Sequence, residues 1–74
     1  MPYIAIKSYP KEEETKKLLV EKINDVVMEV VGCPPQAITI SLEEILPEEW
    51  EEKIVKPEIE PNFDKMMILS GKRK

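Results

Sequence analysis

The chain has no histidine, one cysteine, one tryptophan and one arginine among its 74 residues. Each scarcity removes a class of chemistry or of stabilisation. Without histidine there is no imidazole to act as a base near neutral pH, and none to complete a Cys/His zinc site. The lone Cys33 excludes an intrachain disulfide. One arginine and a formal net charge of −4 leave little phosphate-binding electrostatics, so nucleic acid is not an expected partner. The basic ending Lys72-Arg73-Lys74 is too short to reverse that and reads as a solvated tail. No apolar run approaches the roughly 18–20 residues of a membrane span, so no membrane partner is expected. The start of the chain lacks the basic segment and apolar run of a secretory signal. With one free thiol, the expected location is cytoplasmic. Below roughly 70–80 residues, small scaffolds are usually reinforced by disulfides, metal or oligomerisation. With disulfide and zinc removed, a homo-oligomer is the expectation.

What is present is patterned. Residues 1–9 read as a strand, with Ile4 and Ile6 on one face and Tyr3, Ala5 and Lys7 on the other. A proline is tolerated at its first position because no ladder donor is needed there. Residues 11–31 read as a helix. Glu12, Glu13 and Glu14 meet the positive end of its dipole. Leu19, Ile23, Val26 and Val30 keep the 4-3-4 spacing of one buried face, widened by Val20, Val27 and Val31. Gly32 suits the left-handed residue that stops a helix, and Pro34-Pro35 forbid its resumption. Residues 37–43 alternate as a second strand, with Ile38, Ile40 and Leu42 facing one way. Strand, long helix and strand predict a βαβ unit with parallel strands and a right-handed crossover. Farther on, Pro47 opens a short helix through Val55 with Trp50 and Ile54 at i and i+4, and Pro57 ends it. Pro61 opens another, with Phe63, Met66 and Met67 sharing a face, and Gly71 ends that. The expectation is one domain, 1–74, of α/β (α+β) class. A two-stranded sheet under one helix is not an independently stable layer, so a dimer with a four-stranded sheet is the favoured closure.

The chemistry-bearing feature is Pro2 directly before a strand. Initiator methionine is generally removed ahead of a small residue, and removal leaves Pro2 as a free secondary amine. An α-amino group titrates near 7.7–8.0, and an apolar surrounding lowers that value. The result is a base poised near neutral pH, where general acid–base catalysis works best. If Met1 is retained, the nitrogen is an amide and has no basicity.

Pro2-Tyr3-Ile4-Ala5-Ile6-Lys7, the long helix, Gly32-Cys33-Pro34, Ile38-Thr39-Ile40 and Leu46-Pro47-Glu48-Glu49-Trp50 together resemble the 4-oxalocrotonate tautomerase family. The resemblance spans nearly the whole chain. Pro-Glu-x-Trp with its long tail looks most like the dimeric pyruvate-enol branch; the glycine-rich ending of the hexameric branch is absent. The resemblance implies a βαβ monomer and a cofactor-independent keto–enol tautomerase. Its substrate would be a 2-hydroxy-dienoate or enolpyruvate, with Pro2 as the catalytic base. The hexameric branch carries one arginine just after the first strand and another in the second strand. Here those places read Lys11 and Thr39. Lys11 is then the candidate carboxylate binder, with a point charge rather than a bidentate fork. A neutral Thr39 argues against a dicarboxylate and for a monocarboxylate enol. Trp50 is the candidate pocket wall, with core filling as its alternative.

Other residues attract weaker functional readings. Tyr9 could donate a hydrogen bond, but strand tyrosines mostly pack. Cys33 sits beside a helix C-terminus, which disfavours thiolate, and no histidine can activate it. Met66-Met67 reads as core, and Glu48, Glu49, Glu51 and Glu52 as a solvated face rather than a metal site. Two alternatives to the tautomerase stay open: proline-dependent hydration, dehalogenation or decarboxylation on the same scaffold, and a non-catalytic oligomeric binding protein, since fold alone does not decide activity.

Overall fold

The computed structural model describes residues 1–73. The chain divides into two compact units, Met1–Glu44 and a second that begins at Ile45.

The first unit is the βαβ arrangement. Strand β1 (Tyr3–Ser8) leads into helix α1 (Glu13–Val31), a single 3₁₀ turn (Pro35–Ala37) and strand β2 (Thr39–Glu44). The strands are parallel and in register from Tyr3↔Thr39 to Ser8↔Glu44. Ile4, Ile6, Ile40 and Leu42 are half-buried, whereas Tyr3, Ala5, Thr39 and Ser41 are exposed, as the alternation predicts. Helix α1 ends at Gly32, which has φ 76° and donates its N–H to the Met28 carbonyl at 2.9 Å. That left-handed conformation is one glycine adopts without a Cβ penalty.

The helix face needs correcting. Lys16, Val20, Ile23 and Val27 form the half-buried row. They keep 4-3-4 spacing, but the row is rotated from the one expected. Leu19, Val26 and Val30 are 39%, 55% and 77% exposed. The apolar arc of α1 is wider than a two-stranded sheet can cover, so one flank is left in water. No residue of this unit is fully buried.

The second unit departs further from expectation. A 3₁₀ turn (Pro47–Glu49) leads through Trp50 into a wide helix, Glu51–Ile59, that continues through Pro57 instead of stopping before it. Its turn is enlarged to i→i−5 bonding, as in the Glu60 N–H to Val55 carbonyl bond. A proline ring in an α-helix clashes with the carbonyl four residues back and leaves one acceptor unpaired. A π-type turn relaxes that clash. The widening also changes which side chains align. Trp50, Val55 and Ile59 line one cavity, rather than the predicted i, i+4 pair of Trp50 and Ile54. Ile54 is 4% exposed and Ile45 is 5% exposed; they are the fully buried residues among those described.

A 3₁₀ segment (Glu60–Lys65) follows, and Met66 and Met67 lie beyond it rather than on a shared helical face with Phe63. Asn62 bends here, and its side-chain amide donates to the Glu58 carbonyl at 2.8 Å. Gly71 does not end a helix. Ser70 (φ 51°) and Gly71 (φ 83°) form the turn of an antiparallel hairpin between β3 (Ile68–Leu69) and β4 (Lys72–Arg73). Two successive positive φ values are the backbone of the hairpin turn that matches strand twist. Lys72 and Arg73, expected as tail, therefore sit in a strand; Lys74 lies outside the described residues. No helix among the described residues is long and apolar enough to cross a membrane.

Candidate functional site

The two strands of the first unit have chemically different ends. At the N-terminal end, Pro2 precedes β1 and is half-buried. Its carbonyl accepts the Thr39 N–H at 3.1 Å, the first bond of the parallel ladder. Pro2 and Thr39, both singled out from sequence, are thus neighbours. The bond fixes the proline against β2 and asks nothing of its nitrogen, which as part of an amide could donate nothing. Met1 is attached to Pro2 and is almost fully exposed. Tyr3 and Thr39 pair across the strands and both face solvent.

The C-terminal end is ionic. Lys7 and Glu43, directly opposite in register, form an ion pair at 2.8 Å on the outer sheet face. Glu44 falls one residue later, on the side that carries Ile40 and Leu42. One carboxylate oxygen accepts the backbone N–H of Lys11 at 2.9 Å, and the other lies 3.4 Å from Lys16 Nζ. Lys16 also pairs with Glu13 at 2.8 Å. The Lys11 N–H donor, reinforced by Lys16, holds the Glu44 carboxyl below its usual value. Bonding to Glu13 and then to Glu44 raises the Lys16 ammonium. Lys11 itself is exposed, and among the described residues its ammonium enters no ion pair.

Lys11 and Pro2 are not brought together within one chain. They flank opposite ends of β1, and the six steps from Pro2 to Ser8 span roughly 20 Å. Trp50 belongs to the second unit. There it lines an apolar cavity of about 380 Å³ with Val55, Ile59, Phe63 and Met66. Tyr9 is partly exposed in the loop after β1, and its carbonyl accepts the Ser8 hydroxyl at 3.0 Å. Cys33 is a half-buried free thiol. The acidic run after Pro47 is solvated and partly paired along the helix, Glu49 with Lys53 and Glu52 with Lys56. Among the described residues no group of three or more potential ligands is placed to hold a metal ion.

Glu44 is the residue that sequence reasoning missed. The signal was strand parity: continuing the Ile38-Ile40-Leu42 row by one position puts a carboxylate on the side that faces the helix, where Lys16 heads the matching row.

Comparison with known proteins agrees with this architecture. Residues 2–51 match the profile of the family described as Tautomerase enzyme. Over 73 residues, covering 96% of this chain and 96% of each relative, the sequence is 36% identical to proteins named Tautomerase PptA from Shigella sonnei and from Escherichia coli O127:H6. It is 31% identical over the same span to Tautomerase PptA of Pectobacterium atrosepticum.

Proposed function

This chain belongs to the tautomerase family and is an isomerase of that kind, and on that premise we propose that the free amine of Pro2, after loss of Met1, interconverts the enol and keto forms of a monocarboxylate such as an enolpyruvate. The observation that carries this reading is the seat of Pro2: half-buried at the head of β1, with its carbonyl held by Thr39. A free α-amino group ordinarily titrates near 7.7–8.0, so the Pro2 amine is available as a base close to neutral pH.

The proton balance is simple. The neutral amine takes the proton of the enol hydroxyl, and the O–H electron pair becomes the carbonyl π bond. The former C=C pair then takes a proton from the Pro2 ammonium at carbon. The amine ends neutral, one proton has moved from oxygen to carbon, and no redox cofactor is called for. A cation near the substrate carboxylate would hold it in place, and hydrogen-bonding groups would stabilise charge on the enolate oxygen.

Lys11 is that cation in our reading, and the length of β1 makes it Lys11 of the partner subunit. Two grooves of about 440 and 310 Å³ are lined by α1 together with Ile38, Ile40 and Leu42 on the β2 side. They favour a second copy along the β2 edge. A two-fold axis perpendicular to the sheet makes the two β2 strands antiparallel, giving four strands in all. It also brings the Lys11 end of one copy towards the Pro2 end of the other.

The test is ketonisation of phenylenolpyruvate by protein whose intact mass shows loss of Met1. Pro2→Ala is expected to lower kcat by about 10²-fold or more, the scale of a general base, although its primary amine can retain part of the activity. Processed and Met1-retaining protein turning over equally fast would overturn the role of the amine.

A further inference from the structure

Three lysines and three glutamates meet at the C-terminal end of the β1–β2 sheet, and they are not interchangeable. Lys7 is taken by Glu43 on the outer face. Lys16 is taken by Glu13 and Glu44. Lys11 is left with its ammonium unengaged among the described residues and its backbone N–H held by Glu44. The loop that carries it, residues 9–12, connects β1 to α1 and is exposed. Glu12, at the N-cap, makes no side-chain capping bond to the helix. The carboxylate of Glu44 reaches across from β2 to tie this loop down.

From this arrangement we infer that Glu44 is a positioning residue for Lys11: it pins the Lys11 backbone through the N–H bond, and the Lys11 ammonium stays free to take a substrate carboxylate. The inference rests on the carboxylate-binding role proposed for Lys11. Glu44 sits on a strand held in register over six residue pairs, so its backbone is fixed relative to the sheet and its carboxylate is held by Lys11 and Lys16. A flexible lysine with an unfixed backbone would have to be ordered anew in each binding event, which weakens binding without altering the chemical step. Glu44 would thus act on substrate affinity and leave proton transfer at Pro2 alone. A side-chain amide can still accept the Lys11 N–H, whereas a methyl group cannot.

The experiment is a kinetic cycle on the processed full-length protein with an enolpyruvate substrate. Glu44→Ala is expected to raise KM about three- to tenfold, the scale of one partly exposed charge-assisted hydrogen bond, with kcat changed less than about twofold. Glu44→Gln should restore most of the affinity. Lys11→Ala should raise KM at least as much, and adding Glu44→Ala to it should raise KM no further, because residues that act through one another are not additive. Lys16→Met, which removes the ion pair but not the N–H bond, should leave KM near that of the parent. Unchanged KM in Glu44→Ala beside a raised KM in Lys11→Ala would overturn the positioning role and leave the Lys11 reading intact. Unchanged KM in Lys11→Ala would overturn both. Additive effects in the double variant, or a Lys16→Met effect equal to that of Glu44→Ala, would assign Glu44 a general structural or charge role and also overturn the inference.

Discussion

A proline ahead of the first ladder bond gives up nothing as a strand residue, and once Met1 is gone its ring nitrogen becomes a base. That double suitability is why Pro2 stands out from sequence as the candidate base. Acid should silence such a base: kcat/KM is expected to fall as pH drops below the pKa of the free amine, and a pH–rate profile checks this. The Glu44 contact has its own titration. A carboxyl lowered on folding supplies stability that is complete above its unfolded value and lost as pH falls through the folded one. The Lys11 amide resonance should therefore titrate with a midpoint below the ordinary 4.5 of a glutamate. Lys16 is ion-paired with both Glu44 and Glu13, and Lys7 and Glu43 lie on the opposite face. This pH dependence of the Lys11 amide resonance reports the Glu44 carboxyl and should disappear in Glu44→Gln, and NMR chemical shifts measure it directly.

At the scale of elements, local rules succeed where one residue dictates a backbone angle. Gly32 stops α1 as expected, with φ 76°, and a Cβ built there meets nothing within 4 Å. Gly32→Ala should therefore cost only the left-handed penalty, about 1 kcal/mol, seen as a lower denaturation midpoint with kinetics unchanged. The rules fail where two features compete. Pro57 is expected to stop a helix, but the segment widens its turn and runs on. Gly71, expected to end a helix, is instead the second residue of the Ser70-Gly71 hairpin turn. Because Ser70 holds φ 51°, Ser70→Asn should stabilise the hairpin by about 0.5 kcal/mol, measurable by thermal unfolding.

At the scale of the molecule, the exposed flank of α1 and the grooves beside β2 are surfaces one protomer does not cover. Parallel-ladder alternation turns Thr39 and Ser41 towards β1, so the main-chain groups of Ile40 and Leu42 point to the open edge. Sedimentation at micromolar concentration should give twice the protomer mass; a folded monomer would contradict the dimer. A site shared between copies has a sharper signature. Assayed at substrate well below KM, where Pro2→Ala and Lys11→Ala protein are each impaired, the two unfolded and refolded together in equal amounts should regain about a quarter of full activity from whole sites. Half the dimers are then mixed, and one of their two sites is whole.

The βαβ order, the parity of both strands and the end of α1 all follow from residue pattern. Each depends on a short-range constraint: side-chain alternation, a forbidden angle, a missing donor. The sheet-facing row of α1, the wide turn around Pro57 and the seat of Glu44 beside Lys11 do not. Those depend on how much apolar surface a two-stranded sheet can cover, how a helix relaxes a proline clash, and which side chain from β2 reaches the start of α1. Such matters are decided only when distant segments pack.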